Sequence, residues 1–231
     1  MLRLVPFLVM TKSLSPATED YVKAIYSLEA REGEAVTTNA LAERLDVSAA
    51  SASNMVKKLD ALGLVEHVPY RGVRLTDSGV KVALEVLRHH RLLELYLAQS
   101  LNMPWDRVHD EAEILEHHLS EELEALIAAK LGDPTHDPHG DPIPTADLTI
   151  EEVPTRRLHD LEAGACGRFV RVSDADPGML RYLSERGIAP GDELEVIERQ
   201  PFDGPIFVRF GESVHVLGGS LAKAMRVEAM A

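Results

Sequence analysis

From His109 to His117 the chain reads His-Asp-Glu-Ala-Glu-Ile-Leu-Glu-His, a spacing that suits a cation site. At 3.6 residues per turn, His109, Glu113, Glu116 and His117 fall within about 100° of helix circumference. Val108, Ala112, Leu115 and Leu119 form an apolar stripe mostly beside them. Two imidazoles and two carboxylates at the edge of a buried face suit a divalent metal of borderline hardness. Glutamate and histidine are also ordinary surface residues, so a solvated helix face accounts for this segment, taken alone, equally well.

A preceding helix, near Asp77 to Ser100, offers further ligands. Val82, Val86, Leu93 and Leu97 make its apolar stripe, His90 lies within about 80° of Val82 on the same side, and Glu94 follows one turn later. A histidine inside an apolar stripe is commonly a packed core residue. Paired with a glutamate at i+4 and opposed to a helix bearing Glu113, Glu116 and His117, it fits a ligand better. His89 and His118 point roughly 100° away and are expected to face solvent.

The elements that must position these residues follow from composition and pattern. A chain of 231 residues suffices for two or three domains, and no apolar run approaches the length of a membrane span. The apolar opening Met1 to Met10 is shorter than the combined regions of a signal peptide and lacks a small-x-small cleavage site. Residues 1–15 are therefore expected to be a disordered extension, with Met10 an alternative start. The single cysteine, Cys166, excludes an internal disulfide and fits a cytoplasmic location. A formal charge of −14 argues against indiscriminate polyanion binding, although local basic groups on a dimer can still meet DNA.

The expected fold is mainly α with small β, in three domains. Residues 16–78 carry a helix over Thr18–Glu29, then a short helix capped by Thr38 with Leu41, Ala42 and Leu45. Ser48 caps a third helix bearing Ala52, Val56, Leu59 and Leu62, which Gly63 ends. Two strands within Val65–Leu75, joined around Tyr70-Arg71-Gly72, complete a winged helix-turn-helix. Residues 79–150 hold helices near Asp77–Ser100, Trp105–Leu119 and Glu121–Lys130. The Gly132–Pro144 stretch (GDPTHDPHGDPIP) cannot be helix interior and reads as a linker or extended crossing. Residues 151–231 alternate short β segments (Arg168–Val172, Glu193–Glu198, Ile206–Phe210, Ser213–Leu217) with a helix around Met179–Arg186, the spacing of an SH3-like barrel.

In a helix-turn-helix the first turns of the second helix meet base edges. Here they present Ser48, Ser51, Ser53 and Asn54, with Lys57 and Lys58 for phosphate, while Tyr70 and Arg71 at the wing tip can grip the flanking backbone or minor groove. The competing account is a polar surface helix on a protein-interaction module. From Lys12 to Arg74 there are 8 Lys and Arg against 9 Asp and Glu, so a monomer should bind DNA weakly and a dimer is required.

Taken together, Thr18-Glu19-Asp20-Tyr21, the turn-helix, His90-Arg91-Leu92-Leu93-Glu94, His109-Asp110-Glu111-Ala112 through Glu116-His117, and Pro142-Ile143-Pro144 resemble the diphtheria toxin repressor family of metal-dependent, dimeric transcriptional regulators. The resemblance covers nearly everything after Ser15. It implies a central metal set of Asp20, Glu113, Glu116 and His117 with His90, and a neighbouring set of His90, Glu94 and His109, leaving open which set takes His90. It also implies that the SH3-like domain, of the kind called FeoA-like, lends polar ligands, with Asp174 or Asp176 the candidates.

Iron-type members have methionine and cysteine where this chain has Asp20 and Glu113, so the acidic pair is similar to the manganese-responsive branch, and carboxylates favour hard ions such as Mn²⁺. Lys23 departs from manganese regulators that carry a second glutamate there. The expected function is a Mn²⁺-dependent homodimeric repressor that binds double-stranded operator DNA and controls a manganese importer, with Fe²⁺ the alternative ion. A metal-dependent helical-bundle enzyme is the rival class. The chain shows neither paired Glu-x-x-His motifs, nor His-Glu-x-x-His, nor a nucleophile with a base, so no enzyme is expected. A metal buffer would leave the recognition helix unexplained. No membrane partner is expected.

Overall fold

The computed structural model describes residues 14–68, 70–151, 153–202 and 204–230, the side chains of Arg31 and Glu32 excepted. The reading of Met1–Met10 lies outside the described residues. The chain divides into two compact units: one runs to His89 and takes in Ala146–Thr149, and the other comprises His90–Thr145 and the chain from Ile150 onward. Among the described residues no helix is long and apolar enough to cross a membrane.

In the first unit, α1 (Pro16–Glu32) begins with proline, whose fixed φ and missing donor suit the first turn, and ends where Gly33 turns left-handed at φ +70°. The cap of α2 (Thr38–Arg44) is Thr37, one residue earlier than the Thr38 expected from the sequence. Thr37 is still extended (φ −78°, ψ 151°), so its hydroxyl can accept from Ala40 N–H, whereas Thr38 is already helical. Ser48 caps α3 (Ala49–Ala61) as expected, accepting from Ser51 N–H at 3.1 Å.

Strands β1 (Val65–Val68) and β2 (Gly72–Leu75) form the wing, and Val36, just ahead of α2, bridges to Val73. Gly72 is required at this junction: its φ is +123°, and a Cβ there would lie 2.1 Å from the Val36 carbonyl oxygen. Tyr21, Ile25, Leu28, Leu41, Ala52, Val56, Leu59 and Val73 close one core beneath these elements.

Helix α4 (Asp77–Leu101) runs through the boundary between the units. It is apolar on more than one face, with Val82, Ala83, Leu84, Val86, Leu87, Leu92, Leu93 and Leu95 all buried. For that reason His89, expected to face solvent, is buried instead, whereas His118 is exposed.

In the second unit, α5 (Val108–Leu115) is shorter than the expected Trp105–Leu119 helix, because residues 104–107 form a turn and Glu116–His118 tighten into a 3₁₀ turn. The 3₁₀ step of about 120° per residue replaces the α-helical 100°. Glu116 is buried there, while Leu115, placed in the apolar stripe by α-helical spacing, is exposed. Helix α6 (Glu121–Lys130) follows, and Leu92, Leu93, Leu95, Ala112, Ile127, Ala128 and Ile143 form the apolar cluster between these helices.

The C-terminal part is a six-stranded antiparallel sheet of β3 (Arg156–Arg157), β4 (Cys166–Val172), β5 (Glu193–Arg199), β6 (Ile206–Phe210), β7 (Ser213–Leu217) and β8 (Met225–Ala229). The spatial order is β3-β8-β4-β5-β6-β7, with α7 (Pro177–Ser184) and α8 (Gly219–Ala224) in the connections. Phe169, Val172, Leu180, Leu183, Val196, Val208, Leu217, Met225 and Val227 fill its core, and Trp105 packs against it. The sequence reading stopped at Leu217 and so missed β8, which lies inside the sheet between β3 and β4.

Candidate functional site

Helix α4 carries His90 and Glu94 one turn apart on a buried face, with 5% and 1% exposure. Helix α5 brings His109 and Glu113, and the 3₁₀ turn brings Glu116, itself 1% exposed. His90 faces two ways. Its Nδ1 lies 2.5 Å from Glu116 Oε2 and 3.6 Å from Glu113 Oε1. Its Nε2 lies 3.1 Å from Glu94 Oε1 and 3.2 Å from His109 Nδ1.

The second of these faces continues into the C-terminal sheet. His109 Nδ1 is 3.3 Å from Glu94 Oε1 and 3.0 Å from Asp174 Oδ2, just beyond the end of β4. His90, Glu94, His109 and Asp174 thus each offer a ligand atom within 4.8 Å of the others, as do His90, Glu113 and Glu116 on the opposite face. The sequence left Asp174 and Asp176 as equal candidates, and geometry separates them. Asp176 caps α7 by accepting from Gly178 N–H at 2.8 Å, while Asp174 turns to His109.

His117 Nε2 lies 3.6 Å from Glu116 Oε1. Asp20 is half-buried on α1 in the first unit.

The charges in this cluster hold one another. The hydrogen bond to Asp174, then that to Glu94, pushes the His109 imidazole up to about 10 against the opposing effect of burial. Burial alone would raise Glu94, but His109, His139 and His90 outweigh it and hold its carboxyl well below the usual range. Asp174 is lowered in the same way: burial opposes, and the His109 contact prevails. The donors are imidazole and carboxylate alone, a set that fits a borderline-to-hard divalent ion such as Mn²⁺ or Fe²⁺ rather than a thiophilic one. The exposed thiol of Cys166 takes no part in these groups.

Two participants were missed in the sequence. Asp137 and His139 belong to the Gly132–Pro144 stretch that reads as a linker, yet they are 7% and 0% exposed. With Glu94 they form a third group of close ligand-type atoms. Arg91 NH1 donates to the Pro142 carbonyl at 2.5 Å, and Arg91 and Arg171 flank Asp141 at 3.5 and 3.3 Å. Burial raises Asp137 well above the ordinary range, reinforced by the charges of Glu94 and Asp141. The available signal was the density of Asp and His in this stretch, since a flexible linker has no reason to bury them.

In the first unit Ser51, Asn54 and Lys57 are exposed on α3, Ser53 is half-buried, and Ser48 is exposed at the cap. Lys58 is anchored to the start of α1, donating to Thr18 Oγ1 at 3.1 Å and Ser15 Oγ at 3.4 Å. Tyr70, at φ +62°, is fully exposed at the wing tip beside exposed Arg71.

Known proteins share the domains of this chain. Residues 13–73 match the iron dependent repressor N-terminal DNA binding domain, residues 76–145 its metal binding and dimerisation domain, and residues 156–229 the FeoA domain. The iron-dependent repressor IdeR of Mycobacterium tuberculosis is 32% identical over 227 residues, covering 93% of this chain and 98% of the relative. The diphtheria toxin repressor of Corynebacterium efficiens is 34% identical over 227 residues, with 94% and 97% covered. A solved manganese-dependent transcriptional repressor in complex with manganese is similar at a TM-score of 0.86 and 45% identity, covering 92% of this chain and all of that one.

The fold and the site thus define a metal-dependent DNA-binding regulator, not an enzyme. The chain belongs to the diphtheria toxin repressor family of metal-dependent transcriptional repressors.

Proposed function

We propose that this protein is a Mn²⁺-responsive homodimeric repressor that binds operator DNA in the cytoplasm and controls a manganese importer. The observation that carries the reading is the two-faced His90, with Glu113 and Glu116 on its Nδ1 side and Glu94, His109 and Asp174 on the other. Glu113, Glu116, His117 and His90 would hold one ion, with Asp20 joining them on the strength of the family resemblance. His90, Glu94, His109 and Asp174 would hold a second. When bound, the ion supplies fixed positive charge among these carboxylates. Every ligand except Asp20 lies on the helices after the wing or in the sheet domain, so engaging Asp20 restrains the α1 on which the DNA-binding elements are built. The conformer with its reading heads correctly spaced is then favoured over freely moving ones.

Three features support Mn²⁺ over Fe²⁺. Carboxylates stand at both positions where iron-type members have sulfur, the donor groups contain no thiolate, and the solved repressor at 45% identity is described as a complex with manganese. Exposed Ile114 and Leu115 on α5, with Leu123 and Leu126 on α6, support a second copy of this chain as the partner of the helical domain.

Fluorescence anisotropy with the chain's own upstream DNA and a manganese-importer promoter, at fixed ionic strength, tests the reading. Mn²⁺ should tighten binding relative to chelator, and Glu113→Ala should abolish the gain. Tightening by Fe²⁺ alone would overturn the metal assignment, and sequence-independent binding under every condition would overturn the regulator.

A further inference from the structure

We infer that Lys58 is a positioning residue that ties the DNA-reading helix α3 to the first turn of α1, so that α3 follows the helix carrying Asp20. The inference rests on the proposed reading in which Asp20 joins the metal site and the ion gates operator binding.

Lys57 and Lys58 are adjacent, and either ammonium has the chemistry to meet phosphate. Lys58 lies one turn beyond Asn54 and two beyond Ser51, so it extends the stripe of α3 that carries these polar residues. Its ammonium nevertheless turns back to α1, donating to Thr18 Oγ1 at 3.1 Å and Ser15 Oγ at 3.4 Å. The two hydroxyl oxygens are 2.8 Å apart, which closes a triangle. An ammonium can only donate, so both oxygens accept from Lys58 and one hydroxyl proton joins them to each other.

Both partners sit where the start of α1 is decided. Thr18 is 0% exposed, so Lys58 and Ser15 take the place of water at its hydroxyl. Ser15 is the N-cap of α1, extended at φ −84° and ψ 150°, yet its side chain accepts from no amide of the first turn. Its hydroxyl is committed to Thr18 and Lys58 instead. A helix dipole disfavours a cation at this end, so the ammonium does not serve α1 as a cap. Its contacts join two helices.

The helices also share a core, in which Tyr21, Val22 and Ile25 of α1 meet Ala52, Val56 and Leu59 of α3. Apolar burial is non-directional, whereas hydrogen bonds weaken steeply as they stretch or bend. The Lys58 contacts therefore add a directional restraint to the packing. Asp20 follows Thr18 by two residues, about 3 Å along the helix axis. A displacement of Asp20 carries Thr18 with it, and Lys58 passes it to the stripe that presents Ser51 and Asn54.

The test uses the full chain and compares wild type with Lys58→Met, which keeps most of the stem and removes the donors. The anisotropy assay gives the factor by which Mn²⁺ tightens operator binding, over a range of salt concentrations. Amide hydrogen exchange reports on residues 17–19. The Mn²⁺-dependent gain is expected to fall about 2–30-fold, as for residues that carry coupling between sites. The salt slope should stay as in wild type, and exchange should rise at residues 17–19 while the amides of the shared core keep their protection. Thr18→Val, which removes an acceptor, should lower the gain similarly, and the double variant should lose no more than either single one.

An unchanged gain in Lys58→Met would overturn the inference. So would a salt slope reduced in magnitude by about 1, which marks a phosphate contact. Additive losses in the double variant, or faster exchange throughout the first unit, would mean separate roles or general loosening and would equally overturn it. A wild type whose operator binding ignores Mn²⁺ would refute the metal-gated reading itself, and the inference with it.

Discussion

Metal binding by this protein should expel the proton on His109, and the structure sets the size of the effect. The His109 Nδ1 sits 3.3 Å from Glu94 and 3.0 Å from Asp174, and these partners push the imidazole up to about 10. An ion must bind the neutral imidazole, so it competes with a proton that the site itself stabilises. At pH 7.5 the ring is almost fully protonated, and metal uptake should release about one proton from this residue. Apparent affinity should climb about tenfold per pH unit through the neutral range and level off only near the value to which His109 is raised.

The substitution Asp174→Asn removes the leading cause of that elevation. It should reduce the proton release and flatten the pH slope, besides weakening the ion through loss of a ligand. Calorimetric titration with Mn²⁺ in two buffers of different ionisation enthalpy counts the protons directly. Release well below one proton at pH 7.5, or a slope unchanged in Asp174→Asn, would refute the coupling between His109 and Asp174 on which the reasoning depends.

Further outcomes follow from individual contacts. Glu116→Ala removes a buried carboxylate 2.5 Å from His90 and should cost more in Mn²⁺ affinity than the roughly 10–100-fold of an outer partner, with Mn²⁺-stimulated DNA binding lost in the anisotropy assay. Gly140→Ala places a Cβ into the Val170 carbonyl at a left-handed φ, and should lower the second unit's stability by more than about 1 kcal/mol in a denaturant melt. An unchanged midpoint would contradict the close approach. Lys57→Ala should weaken operator binding uniformly across sequences and reduce the magnitude of the salt slope by about 1, because the exposed ammonium is assigned to phosphate rather than to a base.

The α3 helix and the wing were legible in the sequence because their signals are local: Ser48 before an apolar-periodic run, Gly63 after it, and turn residues around Tyr70-Arg71-Gly72; the cap of α2 was displaced by one residue because Thr37 and Thr38 offer the same hydroxyl. The clustering of imidazoles and carboxylates on α4 and α5 was legible because helical periodicity places His90 beside Glu94 and His109 beside Glu113. The 3₁₀ turn over Glu116–His118 was not, since one tightened turn leaves no mark in composition. The role of the Gly132–Pro144 stretch was hidden for a different reason. Its structure depends on non-local partners, namely Trp105, Arg91, Val170 and Val172, and nothing in its own pattern names them. Asp174 and Asp176 could be told apart only by the hydrogen bond that commits Asp176 to the start of α7.

The central claim is that metal and operator binding favour the same conformer, and thermodynamic linkage makes that claim measurable from either side. The most direct measurement is the Mn²⁺ affinity of the full chain, at fixed pH and ionic strength, without DNA and with saturating operator. The account predicts that operator tightens Mn²⁺ binding by the same factor, site for site, by which Mn²⁺ tightens operator binding, with a scrambled duplex giving a much smaller effect. A Mn²⁺ affinity indifferent to operator would contradict it, however tightly the ion binds.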